Sequence, residues 1–132
     1  MIQPERKPMY RETVFDLASL TKPIVAATLI MRLTERGNVD LHTPVQNYLP
    51  EFAHPHVTIL HLLTHMSGFP AWRATYLEAA PKDEIMTYLS RLPLENPAGT
   101  TVIYSCLGYI LLGLTFFLTP LLTHIADQGA PD

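Results

Sequence analysis

Ser19 and Lys22, three positions apart in the segment "FDLASLTKP", have the residue types and spacing to do chemistry. Residues three apart on a helix lie on the same face, so the lysine amine can reach the serine hydroxyl. We expect apolar neighbours to desolvate Lys22 and lower its pKa, so that its neutral amine accepts or relays the serine proton. The pair therefore predicts a serine nucleophile with a lysine activator.

A plainer interpretation of the same two residues stays open. Ser19 would cap a helix, Lys22 would be a solvated side chain, and short motifs of this kind often match by chance. The context favours chemistry, because Lys22 is followed at once by "PIVAATLIMRL", which is apolar on nearly every helical face. A surface lysine is not ordinarily followed by a helix without a polar face.

The segment that must position the pair is predicted as a helix over residues 17–36. Pro23 has no N–H and fits only in roughly the first turn, so the helix should begin near Ser19. That start places the Ser19 hydroxyl at the positive end of the helix dipole. Gly37 follows where a left-handed C-terminal cap is favoured, and the apolar composition predicts a helix buried on all sides.

The rest of the chain predicts two shorter helices separated by loops. Residues 37–57 are predicted as an ordered loop with one short helical turn. Thr58 is expected to cap a short helix that Gly68 ends. An amphipathic helix is predicted in "PKDEIMTYLSRLPL", because its apolar residues recur at helical spacing. These apolar residues are Ile85, Tyr88, Leu89 and Leu92.

The last third of the chain begins with a β-branched run and then becomes apolar. The segment "ENPAGTTVIYS" predicts a turn and then a short β-branched run that ends at Tyr104, and this run is expected to form a short strand or a turn. After it, "CLGYILLGLTFFLTPLLTHI" carries no charged residue, and its first half is expected to form a buried helix.

Three blocks of the sequence resemble the serine β-lactamase and penicillin-binding-protein superfamily: "FDLASLTKPIVAATLIMRLTERGNVDL", "LHLLTHMSGFP" and "PAGTTVIYSCLGYILLG". Their order and spacing are most similar to the class C β-lactamase-like branch, which also contains esterases, transesterases and D-amino-acid peptidases. The resemblance implies an α+β fold of the β-lactamase/transpeptidase type. This chain would hold mostly the helical part of that fold, with little of the antiparallel sheet.

The resemblance also suggests how the chain is organised. Residues 1–132 would form a single partial domain of this family. It would consist of an N-terminal arm over residues 1–13, a family-like region over residues 14–113 and an atypical apolar tail over residues 114–132.

Carried over residue by residue, the resemblance implies that Ser19 is the acyl-accepting nucleophile and Lys22 its hydrogen-bonded activator. Tyr104 would be a general base that works with the lysine. A tyrosine of pKa near 10 becomes a useful base only if a nearby cation favours the phenolate, and Lys22 can supply that charge. Without the resemblance, Tyr104 would be interpreted as a buried strand aromatic.

Cys106 occupies the third position of the tyrosine motif, where the family has an amide or a carboxylate. A thiol is a weak hydrogen-bonding group, so a substrate or lysine contact made from Cys106 would be weakened. We interpret Cys106 as a substituted substrate-binding position, which an esterase would tolerate better than a β-lactamase.

The resemblance further implies a third motif of Lys-Thr-Gly or His-x-Gly type on a downstream strand, and nothing in residues 114–132 matches it. In the family, that strand supplies one of the two N–H donors of the oxyanion hole. Losing one such donor typically costs about 10²–10³ in rate. Two alternatives to an enzyme therefore stay open: a catalytically incompetent truncated chain and a non-enzymatic binding module.

His61 and His65 stand at positions i and i+4 of a predicted helix, a spacing that can hold a metal ion. No third ligand is evident, and the resemblance implies that this segment is structural. We therefore predict neither a metal site nor a cofactor.

Composition limits the partners. The net charge of -3 and the absence of a Lys/Arg cluster argue against nucleic acid. The expected partners are a small-molecule ester, β-lactam or peptide-like substrate, with self-association as an open alternative. Membrane association through residues 107–125 stays open as a less favoured alternative, because the run reaches spanning length but lacks flanking Lys/Arg anchors. No secretory signal is visible in "MIQPERKPMY", which favours a cytoplasmic location.

Overall fold

The computed structural model of the chain describes residues 8–73 and 82–118. Within these ranges the backbone is helical or irregular, and the only β-type pairing is an isolated bridge between Pro44 and Thr58. Of the strand and the turn expected for the run that ends at Tyr104, the described residues do not show the strand. The run is attached to the turn that follows α2, where the Ile103 N–H donates to the His65 carbonyl oxygen at 2.8 Å, and it has no neighbouring strand among the described residues.

The predicted helix over residues 17–36 is present as three consecutive helical pieces, together called the Ser19 segment. They are a 3₁₀ turn at Ala18–Leu20, a π-helix at Lys22–Ala27 and α1 at Thr28–Glu35. The expected start near Ser19 is confirmed. Pro23 is the second residue of the π-helix, a position where its missing N–H costs no hydrogen bond.

The C-terminus of α1 is closed as the sequence predicts. Gly37 has a φ of +73°, its N–H donates to the Thr34 carbonyl oxygen, and the Asn38 N–H donates to the Leu33 carbonyl oxygen. This pair of bonds is the Schellman motif, in which a left-handed residue satisfies the last carbonyl groups of a helix.

The prediction that this helix is buried on all sides is wrong. Ile30 is the residue of the Ser19 segment that is fully buried, whereas Ile24 is 53% exposed and Met31 is 66% exposed. The described part of the chain packs against one side of the segment and leaves the other side open. An apolar composition on every face cannot show which face its neighbours will cover.

The short helix after Thr58 begins as predicted. This helix, α2, spans Ile59–Leu63, and its cap is reciprocal: Thr58 Oγ1 accepts from the His61 N–H, and His61 Nδ1 accepts from the Thr58 N–H, both at 3.2 Å. The histidine side chain therefore does what Glu or Gln does in the usual capping box.

The end of α2 differs from the prediction. The helix is closed by His65, which has a φ of +59°, and the Met66 N–H then donates to the His61 carbonyl oxygen at 2.8 Å. Gly68 lies beyond the helix at a φ of +85°, where a Cβ atom would collide with the Asn96 carbonyl oxygen. Gly68 is thus required by close packing of two loops rather than by the helix end.

Two longer helices complete the described structure. The predicted amphipathic helix is confirmed as α3, Lys82–Arg91, with Leu89 fully buried. The apolar run forms α4, Cys106–Gly113, and continues as a π-helix at Leu114–Leu118. The predicted buried helix is thus confirmed, since Leu111 and Leu112 are completely buried.

Helix α4 lies at the centre of this structure. It contacts α2, α3 and the π-helix of the Ser19 segment. Gly108 lets α4 approach α2 closely, because a Cβ atom there would lie 3.3 Å from Leu62 Cδ2. The core that results contains Ile30, Val39, Val45, Leu49, Phe52, Val57, Ile59, Leu62, Phe69, Leu89, Leu92, Leu107, Leu111 and Leu112.

The loop over residues 37–57 contains the expected helical turn, a 3₁₀ turn at Val45–Asn47. In the part of the chain that the structure describes, no helix is both long enough and apolar enough to span a membrane. Residues 119–125 of the proposed membrane-associated stretch, and most of the predicted tail, lie outside the described residues.

Candidate active site

The structure brings Ser19 and Lys22 together. Ser19 lies on the exposed 3₁₀ turn that opens the Ser19 segment, and Lys22 begins the π-helix that follows. Lys22 Nζ donates to Ser19 Oγ at 3.4 Å, a long hydrogen bond. The predicted reach of the lysine is therefore confirmed, at the N-terminal end of the helix where N–H groups have no partner inside the helix.

Tyr104 completes a three-residue cluster. Its ring centroid lies 4.9 Å from Lys22 Nζ, which is within the range of a cation–π contact, and its hydroxyl interacts with both Lys22 and Ser19. The alternative of a buried strand aromatic is wrong, because 51% of Tyr104 is exposed. Tyr104, which is distant in the sequence from Ser19 and Lys22, therefore lies beside them in the structure.

The pKa of Lys22 shifts in the direction opposite to the one expected from the sequence. The hydrogen bond with the Tyr104 hydroxyl raises the pKa of Lys22, and this effect is larger than the opposite effect of burial. The Cys106 thiol raises the pKa of Lys22 further. The expected fall in the lysine pKa is therefore wrong, because Lys22 is only partly buried and faces polar groups that stabilise its charge. The hydrogen bonds of Tyr104 with Lys22, and then with Ser19, lower the pKa of Tyr104. The contact therefore makes the Lys22 ammonium harder to deprotonate and the Tyr104 hydroxyl easier to deprotonate.

His65 belongs to the site, although the sequence suggested for it only a structural role or, less favoured, a metal ligand. Its ring centroid lies 4.5 Å from that of Tyr104 and 5.2 Å from that of Tyr109. His65 Nδ1 accepts a hydrogen bond from the Ser105 N–H at 3.1 Å. Burial, and then the charge of Lys22, lower the pKa of His65. The signal available in the sequence was the "THMSG" segment, which the resemblance marks as structural.

The two histidines do not form the pair that their spacing suggests. His65 lies beyond the end of α2, so it is not one turn along the same helix as His61, whose Nδ1 is used in the Thr58 cap. Within residues 8–73 and 82–118, no group of three His, Cys, Asp or Glu side chains is arranged to hold a metal ion.

Cys106 lies beside the lysine. It is the first residue of α4, it is partly buried, and its thiol interacts with Lys22. A small cavity of about 240 Å³ lies between this thiol, Lys22 and Tyr109. The position is therefore next to the proposed reaction centre.

A second cleft, of about 590 Å³, opens directly beside the three-residue cluster. This volume is within the range of small-molecule sites, and apolar side chains such as Leu20 and Leu63 form much of its wall. The turn that presents Ser19 to the cleft is strained: Ala18 has a φ of +44°, and its N–H donates to Asp16 Oδ1 at 2.8 Å.

Comparison with known proteins places this chain in a family. The profile of the β-lactamase family matches residues 3–116, so the chain belongs to the β-lactamase family. Membership implies the β-lactamase/transpeptidase fold, and the helix-rich described residues are consistent with part of that fold.

Individual relatives carry several names. The chain is 49% identical to esterase EstB of Burkholderia gladioli over 73 residues, which are 50% of this chain and 18% of the relative. It is 32% identical to an N-acetylmuramyl-L-alanine amidase of Bacillus subtilis over 121 residues, 80% of this chain and 27% of the relative. It is also 32% identical to penicillin-binding protein 4* of Bacillus subtilis over 118 residues, 83% of this chain and 26% of the relative. The chain thus matches about a fifth to a quarter of the length of these relatives.

Proposed function

We propose that the chain carries the nucleophile and base of a serine acyl hydrolase or acyl transferase that works through an acyl-enzyme on Ser19. The observation that carries the proposal is the position of Lys22 Nζ, 3.4 Å from Ser19 Oγ and 4.9 Å from the Tyr104 ring centroid. The names of the relatives, which include an esterase and an amidase, support the same class of reaction.

Acylation begins with the Tyr104 phenolate, which the Lys22 ammonium stabilises. As Ser19 Oγ attacks the substrate carbonyl carbon, its proton moves to the phenolate oxygen, and the carbonyl electron pair moves onto oxygen. Collapse of the tetrahedral intermediate breaks the bond to the leaving group, which takes the proton from Tyr104. At the end of this step the acyl group is bound to Ser19 Oγ as an ester, and Tyr104 is again a phenolate.

Deacylation repeats the sequence with water or an alcohol as the nucleophile. Tyr104 takes the proton of the incoming hydroxyl and returns it to Ser19 Oγ when the ester bond breaks. Lys22 keeps its charge throughout, because its raised pKa favours the ammonium. Its role is therefore to hold the phenolate and to donate to Ser19 Oγ.

The oxyanion of each tetrahedral intermediate would be bound first by the Ser19 N–H, at the N-terminal end of the Ser19 segment. Cys106, beside Lys22, would border the substrate from the side of α4. A thiol holds a substrate amide poorly, so a carboxylic ester fits this position better than a β-lactam or a peptide. The apolar wall of the cleft also suits the acyl chain of an ester.

The test is covalent labelling of the purified protein by a chromogenic short-chain ester, followed by measurement of the intact mass. We expect an added mass equal to the acyl group, absent from the Ser19→Ala variant. A matched control is Thr21→Ala, which removes a neighbouring exposed hydroxyl and should leave labelling intact. Equal labelling of the Ser19→Ala variant, or no labelling of the folded parent protein, would refute the proposal.

A second candidate is a catalytically incompetent chain that keeps the nucleophile but binds rather than turns over. It is favoured by the exposed apolar side of the Ser19 segment. This candidate predicts no adduct from any ester, together with self-association of the parent protein or unfolding without cooperativity in denaturant. An adduct that depends on Ser19 would exclude it.

A further inference from the structure

We propose that His65 is a positioning residue that holds the Tyr104 ring beside the Lys22 ammonium. The inference concerns the orientation of Tyr104, and its mechanistic meaning rests on the base role proposed above. Three observations support it: the hydrogen bonds of His65 to the backbone on both sides of Tyr104, the contact between the two rings, and the left-handed turn at His65 that ends α2.

The first set of contacts fixes the backbone on both sides of Tyr104. The Ile103 N–H donates to the His65 carbonyl oxygen at 2.8 Å, and the Ser105 N–H donates to His65 Nδ1 at 3.1 Å. Residues 101–105 form no strand, so no ladder of hydrogen bonds fixes this stretch in the described structure. One histidine thus supplies, from its main chain and its side chain, an acceptor on each side of the proposed base.

The second contact is with the ring of Tyr104 itself. The His65 ring lies 4.5 Å from it, centroid to centroid, with a tilt of 38° between the planes. Because half of Tyr104 is exposed, burial in the core does not select its side-chain orientation. The imidazole therefore provides a packing surface next to the cation site.

The bond from the Ser105 N–H also defines the protonation of His65. An atom that accepts this hydrogen bond carries no proton, so the ring is neutral with its proton on Nε2. The charged and titratable groups that face this ring are Lys22, Tyr104 and Tyr109, and both burial and the lysine charge lower the pKa of His65. The neutral acceptor form is thus the favoured one.

The third contribution is the turn. His65 is the left-handed residue that closes α2, a position where glycine or asparagine is usual. The left-handed conformation directs the His65 carbonyl oxygen and ring toward residues 103–105. Glycine would make the same turn without the side chain, which gives the experiment its matched pair of variants.

The experiment compares His65→Gly and His65→Asn with the parent protein. Glycine keeps the left-handed turn and removes both the ring and the acceptor; asparagine keeps the turn and offers an amide oxygen to the Ser105 N–H. The first readout is the pKa of Tyr104, measured from the near-ultraviolet absorbance of tyrosinate after subtraction of a Tyr104→Phe titration. The second is the rate of Ser19 acylation, with the substrate affinity measured separately.

In the His65→Gly variant we expect the pKa of Tyr104 to rise toward that of free tyrosine and acylation to slow by about 10- to 100-fold at unchanged substrate affinity. In the His65→Asn variant, the pKa of Tyr104 and the acylation rate should both lie between those of the parent protein and those of the His65→Gly variant. An unchanged Tyr104 titration in a folded His65→Gly variant would overturn the proposal, whatever the activity. A parent protein that is not acylated would refute the proposed function, while the titration would still decide the role of His65.

If the variants do not fold, the proposal is tested by a direct measurement on the parent protein. Nitrogen NMR of the imidazole should show the proton on Nε2 and an unprotonated Nδ1 at neutral pH. A proton on Nδ1 would remove the acceptor for the Ser105 N–H and overturn the proposal.

Discussion

The roles of the site residues depend on how each one changes the proton affinity of its neighbour. The sequence suggests a desolvated, neutral lysine, but the pKa of Lys22 is raised by the Tyr104 hydroxyl and that of Tyr104 is lowered by Lys22. These directions support the proposed role of Tyr104, rather than the Lys22 amine, as the base. The pKa of Lys22 differs from the expectation because desolvation depends on which side chains surround the amine in space. The side chains of Tyr104 and Cys106, which surround it here, are polar.

A pH profile of Ser19 acylation tests this assignment. We expect the rate to rise with pH as Tyr104 loses its proton, with a midpoint below the pKa of free tyrosine, because its folded pKa is lowered. The rate should then fall where Lys22 loses its proton, above the usual lysine pKa, because its folded pKa is raised. The two midpoints therefore enclose the range of greatest activity.

The control for this profile is Tyr104→Phe, which keeps the ring and removes the base. Loss of a general base typically lowers the rate by about 10²–10⁴ and should abolish the rising limb. A rising limb that persists in this variant would show that another group, such as the lysine amine, accepts the serine proton.

At the scale of elements, two helices end on left-handed residues that serve different purposes. Gly37 closes α1 away from the site, whereas His65 closes α2 and contacts the site with its ring. The glycine cap is predictable because glycine adopts positive φ without a steric penalty. The histidine cap is not predictable from residue type, since its stabilisation comes from contacts made 38 to 40 residues later in the chain.

A matched pair of glycine substitutions measures the cost of this conformation. Gly37 and Gly113 both have open space where a Cβ atom would lie, but Gly37 has a φ of +73° and Gly113 is in helix α4. Gly37→Ala should lower the free energy of unfolding by about 1–2 kcal/mol. Gly113→Ala should raise it by roughly 0.5–1 kcal/mol, because alanine favours a helix.

Both effects are measured by denaturant unfolding at equilibrium. Equal changes at the two positions would contradict the assignment of a left-handed cap at Gly37, since the space available for the methyl group is open at both.

At the scale of the whole molecule, the described residues form a core on one side of the Ser19 segment and leave apolar side chains on the other. The exposed members include Leu20, Ile24, Val25, Leu29 and Met31. Contiguous exposed apolar surface favours association, so the self-association considered from the sequence stays a prediction with a structural reason.

Charge placed on this surface should reduce association. We expect the double variant Ile24→Lys with Met31→Lys to lower the weight-average mass in sedimentation equilibrium at a given protein concentration. The control is Asn38→Lys with Asn47→Lys, which adds the same charge at two exposed polar positions. If both double variants change the mass equally, net charge rather than the apolar surface governs association.

The sequence by itself determined the local features of this protein. The start of the Ser19 segment, the Gly37 cap, the Thr58 cap, α3 and the buried helix α4 follow from short-range rules about proline, capping residues and apolar periodicity. The nearness of Ser19 and Lys22 follows from helical spacing. Each of these features depends on residues a few positions apart.

Only the tertiary structure decided which groups act on one another. The raised pKa of Lys22, the exposed side of the Ser19 segment and the position of His65 all depend on contacts between residues far apart in the chain. The same holds for the run before Tyr104, which has no partner strand among the described residues. Their physical reason is common: desolvation, ring packing and strand pairing are set by neighbours in space. Sequence patterns indicate that such neighbours are needed and do not specify which residues they are.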